Sequence, residues 1–121
     1  MSNNLQILNM QIVKEAQNLM GERFTTMVSY FLEDTQMYVA EIEKAIQEKE
    51  VEKAIAPAHT IKSSAKQLGA ERVSGVAKEI EAFCRICSES GKTDFIILKT
   101  FYKQLNTEID QATTELNKLC N

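Results

Sequence analysis

Apolar residues recur at intervals of three and four along most of the chain, which is the spacing of an amphipathic α-helix. The clearest run predicts one long helix from about Glu22 to Lys49. Its apolar positions are Phe24, Met27, Val28, Phe31, Thr35, Tyr38, Ile42, Ala45 and Ile46. A shorter run predicts a first helix from about Leu8 to Met20, and Gly21 follows where a C-terminal glycine cap is expected.

A third helix is predicted where the apolar phase restarts at Val51, after a weak turn signal at residues 48–50. Its stripe continues to Leu68, and Gly69 closes it. Pro57 lies inside this helix, where its ring removes one amide donor and crowds the carbonyl four residues earlier. The sequence therefore predicts either a kink at Pro57 or a helix whose regular part begins near that residue.

Two more helices are predicted in the second half of the chain. The apolar face of the fourth helix runs from Val73 to Cys87, and residues 88–93 are expected to form a loop. The last helix runs from about Phe95 to Leu119 at close to heptad spacing, so it should cross its neighbours at a shallow angle. Thr93 or Asp94 can cap its first turn.

The composition supports a helical fold. The chain of 121 residues is 44% hydrophobic and 26% charged, and it has only four Gly and one Pro for turns. One short helix and four long amphipathic ones, joined by short loops, predict an all-α protein: an up-and-down antiparallel four-helix bundle with a short additional N-terminal helix. We expect a single domain over residues 1–121, folded as a monomer because a closed bundle needs no partner.

Charge and cysteine content limit the classes of function. The formal net charge is −3, which argues against general binding of nucleic acid. The segment from residue 58 to residue 92 is nevertheless +2, which favours one specific anionic partner or group. No apolar run approaches the length of a membrane span, about 18 residues. Residues 1–4 lack a basic region followed by an apolar block, so we expect no secretory signal. With three Cys in no disulfide framework, we expect a cytoplasmic protein that binds neither membrane nor nucleic acid.

His59 is the only histidine in the chain and the main candidate for chemistry. If Ala58 faces the core, His59 is rotated about 100° from it, to the edge of the buried stripe, where it is partly packed but reachable. Much of a free imidazole is neutral and nucleophilic near pH 7. Lys62 and Lys66 follow at three and seven residues, on the same helix face, where they would stabilise an attached phosphoryl group. The alternative is a structural or solvated histidine without a chemical role.

The stretch around His59 resembles the signature of histidine phosphotransfer (HPt) domains. Residues 58–70 read AHTIKSSAKQLGA, and the family pattern is A-H-x-L-K-G-S-x-x-x-x-G-A. The similarity extends upstream to GERF at residues 21–24 and FLED at residues 31–34, and in all it covers about Leu8 to Glu89. The downstream positions that match the family are Val73, Ala77, Ile80 and Glu81. The resemblance implies an HPt-like helical bundle.

The resemblance also implies a role for individual residues. His59 matches the residue that accepts the phosphoryl group, and Lys62, one turn later, matches the lysine that neutralises the charge of that group. The family usually has Gly at the position of Ser63. The serine adds a hydroxyl beside the ring. Thr60 and Ser63 are expected to line the site, and Arg72 to lie at the rim of the surface where a partner docks.

The implied function is phosphoryl shuttling in a two-component phosphorelay. Neutral His59 attacks an aspartyl phosphate on the receiver domain of a response regulator, and the aspartate of a second receiver then takes the group. The expected partners are receiver domains and a hybrid sensor kinase, docked on exposed positions of the second and third helices. No cofactor is expected in the protein itself, because Mg²⁺ and its acidic pocket belong to the receiver. Without a glycine-rich phosphate loop, no ATP-dependent kinase activity is expected.

The sequence also suggests two other interpretations. Ser63 and Pro57 depart from the family pattern, so the chain could instead be a helical adaptor that is not phosphorylated and binds receiver domains or other signalling proteins. Cys84 and Cys87 form a C-x₂-C pair, which would suggest zinc. A zinc site needs four ligands, however, and no second pair follows, so we expect no metal.

Overall fold

The computed structural model describes residues 5–120, which fold into five α-helices and two short 3₁₀ turns, without a β-strand. The α-helices are α1 (Met10–Met20), α2 (Phe24–Gln47), α3 (Ile55–Gln67), α4 (Glu71–Ser90) and α5 (Phe95–Leu119). A 3₁₀ turn at Gly21–Arg23 leads into α2, and another at Val51–Ala54 leads into α3. Residues 1–4, where we expect no secretory signal, and residue 121 lie outside the described part.

The four longer helices form the bundle. Helix α2 packs against α3 and α5, α4 packs against the same two helices, and the short α1 packs near the start of α2. Only residues 68–70 separate α3 from α4 and residues 91–94 separate α4 from α5, so consecutive helices turn back on each other. Fully buried aliphatic side chains from all four helices fill the core: Ile42, Ile61, Ile80, Leu98, Leu105 and Leu116. The predicted bundle with a short N-terminal helix is confirmed.

Capping and turn geometry place some helix ends away from the predicted ones. Helix α1 begins at Met10, two residues later than predicted. The reason is that the Asn9 side chain accepts hydrogen bonds from the amides of Gln11 and Ile12 and so caps this end. Helix α2 is shorter than predicted, because a 3₁₀ turn precedes it and Lys49, with a left-handed φ of 57°, lies in the turn that follows it.

Helix α3 begins just before Pro57, which is its third residue and is buried. In the first turn of a helix the amide that proline lacks would have no intrahelical partner, so Pro57 is well tolerated there. Of the two predicted alternatives, the second is confirmed, because the regular helix begins at Ile55, after the 3₁₀ turn. Gly69 follows the end of α3 with φ 82°, as its predicted role in closing the helix requires.

The loop between α4 and α5 is shorter than predicted. Residues 88–90 are helical, so placing them in a loop was wrong. Gly91 adopts φ 75° and donates its N–H to the Cys87 carbonyl oxygen at 2.9 Å, which satisfies one of the last carbonyls of α4. Asp94, the second of the two predicted caps, accepts hydrogen bonds from two amides in the first turn of α5.

An irregular segment at Leu5–Asn9, here called the N-terminal strap, lies along the start of α4. The Gln6 amide and the Asn9 side chain donate hydrogen bonds to the two carboxylate oxygens of Glu71, at 3.1 and 2.8 Å. Arg72 donates from Nε to the first carbonyl oxygen of the strap at 3.0 Å. Two consecutive side chains of α4 therefore hold the strap against the bundle.

Candidate functional site

Helix α3 holds His59 at the boundary between core and solvent. Ala58 and Ile61 of this helix are 0% exposed. Because successive helical residues are rotated by about 100°, His59 is turned away from the core, toward the groove between α3 and α4. Its side chain is 54% exposed. The imidazole is therefore accessible to a partner while one edge stays in contact with α4.

Glu81 faces His59 from α4, and its side chain is only 8% exposed. Oxygen Oε2 lies 3.0 Å from Nδ1 of His59, and Oε1 lies 2.7 Å from Nζ of Lys62. Arg85, one turn later on α4, donates to Oε2 from Nη2 at 2.7 Å and from Nε at 3.2 Å. A buried carboxylate thus links the imidazole to two cations.

The charge of Glu81 determines which imidazole nitrogen carries the proton. Burial raises the pKa of the Glu81 carboxyl, but hydrogen bonds from Lys62, Arg85 and His59 outweigh burial and lower the pKa to about 2. An ionised carboxylate only accepts hydrogen bonds, so Nδ1 of His59 is the donor in this contact. In the neutral ring the lone pair then lies on Nε2, which makes no hydrogen bond within residues 5–120.

Three of the four other predicted residues of α3 line the same groove, and Thr60 does not. The side chains of Lys66 and Ser63 line it together with His59. The Thr60 hydroxyl donates a hydrogen bond to the Ala56 carbonyl oxygen at 3.1 Å, so it is engaged within α3 itself. Besides His59, Lys62 is the one predicted side chain of α3 that forms a polar contact with Glu81. The Lys62 side chain is 28% exposed.

Arg72 holds the N-terminal strap. Its Nε donates to the Leu5 carbonyl oxygen at 3.0 Å, and its amide donates to the Gln6 carbonyl oxygen at 3.2 Å. Arg72 precedes Glu81 by nine residues, or about 13 Å along α4. The structure therefore does not bring Arg72 together with His59 and Lys62, and its place at the rim of a docking surface stays a prediction.

The sequence pattern assigned neither Glu81 nor Arg85 a role in the site. A signal for Glu81 exists, because a charged residue falls on the apolar face of α4, four residues after Ala77 and three before Cys84. A charged side chain on a buried face requires partners. Arg85 is one such partner, and the sequence indicates it because Arg85 lies four residues after Glu81 on the same helix.

The C-x₂-C pair lies in the core of the bundle. Cys84 and Cys87 are both buried with free thiols. Burial, with a smaller contribution from Cys87, raises the pKa of the Cys84 thiol to about 12, so this thiol stays protonated and packs as an apolar group. Within the described residues, no three His, Cys, Asp or Glu side chains are grouped so that they could hold a metal ion.

The fold and the site together define a helical-bundle protein with one half-exposed histidine at its surface. The sequence matches the family model of the Hpt domain over residues 26–115, about three quarters of the chain. The chain therefore belongs to the Hpt domain family, and the family and the phosphorelay phosphotransfer role expected from the sequence are confirmed. No helix in residues 5–120 has the length and apolar character needed to cross a membrane.

Two solved structures are similar to this fold. The crystal structure of histidine-containing phosphotransfer protein B from Pseudomonas aeruginosa PAO1 gives a TM-score of 0.86 at 17% sequence identity, with 94% of each chain covered. A rice protein provisionally described as a histidine-containing phosphotransfer protein gives a TM-score of 0.61 at 20% identity, with 100% of this chain and 89% of the rice chain covered. No curated protein sequence matches this chain significantly. At such low identities the likeness shows the fold.

Proposed function

We propose that His59 is the phosphoryl acceptor and that its Nε2 atom carries the group between the aspartates of receiver domains. The observation that carries this proposal is the 3.0 Å contact between Nδ1 of the chain's only histidine and the buried carboxylate of Glu81. This contact leaves Nε2 as the nucleophilic atom of a ring that is 54% exposed.

The proposed transfer is chemically balanced. The lone pair of Nε2 attacks the phosphorus of an aspartyl phosphate, so that an N–P bond forms and the P–O bond to the aspartate breaks. The electron pair of the broken bond returns to the aspartate carboxylate. The proton on Nδ1 stays in its hydrogen bond to Glu81, and the ring gains a positive charge that this carboxylate stabilises. Transfer to a second receiver follows the reverse steps.

Cations beside the ring favour the phosphorylated form. A phosphoryl group brings between one and two negative charges near pH 7, roughly −1.5 to −2 for a phosphate monoester. Lys62 lies one turn after His59 and reaches the shared carboxylate at 2.7 Å, so its charge is held beside the ring. Lys66 lines the same groove from the next turn of α3. We assign Lys62 the larger effect, because Glu81 holds it in place.

The partner supplies the rest of the chemistry. Mg²⁺ and its acidic pocket in the receiver activate the aspartyl phosphate, so this protein contributes the nucleophile, nearby cations and a docking surface. The partners in this proposal are response-regulator receiver domains and a hybrid sensor kinase, which the protein meets as a monomer in the cytoplasm. Hpt domains carry phosphoryl groups, and the proposal assigns this chain no ATP-dependent kinase activity.

The test is phosphoryl transfer from a panel of purified receiver domains charged with acetyl phosphate. Wild type should acquire acid-labile phosphate, and His59→Gln should acquire none. Lys103→Gln, an exposed substitution on α5, is the matched control and should label like wild type. Equal labelling of His59→Gln, or no labelling of wild type by any receiver, would contradict the proposal. Receiver binding without labelling, unchanged in His59→Gln, would instead identify the adaptor.

A further inference from the structure

A groove of about 620 Å³ runs between α3 and α4, from His59 to the N-terminal strap. Helix α3 forms one wall and α4 forms the other. The strap and the start of α1 close the end of the groove that is farthest from His59. Besides His59, the lining residues that matter here are Leu5, Ile12, Lys62, Lys66, Ser74 and Lys78. The groove thus connects the proposed phosphoryl acceptor to the N-terminal strap.

The groove is basic although the whole chain has a formal net charge of −3. Lys66 and Lys78 are exposed, and neither forms an ion pair within residues 5–120. The lining holds three lysines and one carboxylate, that of Glu71, which accepts hydrogen bonds from the Gln6 amide at 3.1 Å and the Asn9 side chain at 2.8 Å. Charge complementarity therefore favours an occupant with negative charge.

The strap gives the same groove an apolar end. Leu5 packs over Gly75 of α4, so closely that a Cβ on Gly75 would lie 2.8 Å from Cδ1 of Leu5. Leu5 and Ile12 are both only partly buried, so they offer apolar surface to an incoming side chain. An occupant that matches the groove therefore combines acidic residues with one aliphatic side chain.

We propose that this groove docks an acidic segment, bearing one aliphatic side chain, of the receiver domain that exchanges phosphate with His59. The inference rests on the proposed function, because the receiver approaches His59 and the groove begins at that residue. Leu5 and Lys78 are then specificity-determining residues that favour receivers with such a segment and disfavour those with a basic one. Neither touches the reacting atoms, so they act on binding rather than on the chemical step.

Transfer kinetics with the panel of charged receiver domains test this assignment. Lys78→Glu reverses a charge in the groove, and Leu5→Asp places a charge at its apolar end. Each should raise the half-saturating concentration of the preferred receiver about tenfold or more, with little change in the maximal rate. The matched controls are Lys99→Glu and Ile96→Asp on α5, which packs against α2 and α4 and lies diagonally across the bundle from α3. Both controls should behave like wild type.

The Gly75→Ala variant separates an effect on receiver docking from an effect on the stability of the fold. Alanine is more favourable than glycine inside a helix, so the melting temperature should stay the same or rise. The added methyl group must displace the flexible end of Leu5, which lies 2.8 Å from its position. If Gly75→Ala has normal or higher stability but a higher half-saturating concentration of the preferred receiver, the displacement of Leu5 is the cause.

The three results of these experiments can be told apart. If wild type is labelled and the groove variants need more receiver while the α5 controls do not, the assignment is supported. If wild type is labelled and all groove variants match it, the groove is not a docking site, and the proposed role of His59 is unaffected. If no receiver labels wild type, the proposed function fails and the docking assignment fails with it.

Discussion

Nδ1 of His59 and Oε2 of Glu81 lie 3.0 Å apart, although the two residues are 22 positions apart in the sequence. They meet because α3 and α4 turn back on each other through residues 68–70 and pack along their length. The hydrogen bond fixes the ring orientation and the position of its proton at once. The reactivity that we assign to His59 therefore depends on a residue of a different helix.

Replacement of Glu81 tests this dependence. Glu81→Leu removes the acceptor for Nδ1–H and should slow phosphohistidine formation roughly 10–100-fold, the equivalent of one charge-assisted hydrogen bond. Glu81→Gln keeps an oxygen that can accept the Nδ1 proton, so its loss should be smaller. Long-range ¹H–¹⁵N NMR of the single imidazole should show the proton on Nδ1 in wild type and a mixture of tautomers in Glu81→Leu.

The matched control for these variants is Glu79→Gln, an exposed carboxylate on the same helix. It should react at the wild-type rate. Equal rates for Glu81→Leu and wild type, with the same fold by circular dichroism, would show that the contact does not position the ring.

The depressed pKa of Glu81 predicts a loss of stability in acid. Its pKa falls from the ordinary 4.5 to about 2 on folding, so the stabilisation is fully present above pH 4.5 and is lost as the pH falls toward 2. Between these values the melting temperature of wild type should drop more steeply than that of Glu81→Gln, which cannot titrate there. Parallel curves for the two proteins in thermal melts from pH 5 to pH 2 would contradict the assigned pKa.

The two lysines after His59 should differ in their effects. Lys62→Met removes a cation bonded to the Glu81 carboxylate at 2.7 Å, and we expect about a tenfold loss in the rate of transfer to His59. Lys66→Met removes an exposed cation that forms no ion pair within residues 5–120, so the loss should be at most a few-fold. Rates measured at saturating receiver separate these effects from docking. The reverse order of the two variants would show that Glu81 does not select the functional lysine.

Gly69 and Gly91 form a matched pair for stability. Both have left-handed φ, at 82° and 75°, so alanine should cost about 1 kcal/mol or more at either position. At Gly91 the new Cβ meets nothing within 4 Å, whereas at Gly69 it would lie 2.9 Å from the Asn9 carbonyl oxygen. Gly69→Ala should therefore be the more destabilising in urea unfolding. If both variants lose the same free energy of unfolding, the backbone around Asn9 moves away from the new methyl group without a loss of stability.

The helices could be predicted from the sequence because their apolar stripes are long and regular. Ile42, Ile61 and Ile80 lie on those stripes and are 0% exposed. Helix ends were harder to predict, because they depend on caps and turns, which the spacing of apolar residues does not indicate. The Asn9 cap delays α1, and α4 continues to Ser90 because Gly91 can adopt φ 75°.

The site could be predicted only where one helix carries it. His59 and Lys62 share a face of α3, so their spacing is enough to place them together. Glu81 joins them through the pairing of α3 with α4, and periodicity does not define which residues of two helices face each other. Arg72 illustrates the same limit, because the five-residue strap that it binds has no helical period to indicate that it packs on α4.

Nε2 of His59 is the atom to which we assign the phosphoryl group. The most direct measurement is NMR of ¹⁵N-labelled protein after transfer from a charged receiver, in which a one-bond coupling between phosphorus and nitrogen identifies the phosphorylated atom. We expect a single phosphohistidine with phosphorus on Nε2 and the proton still on Nδ1. Phosphorus on Nδ1, or phosphate that remains on the protein in His59→Gln, would contradict it.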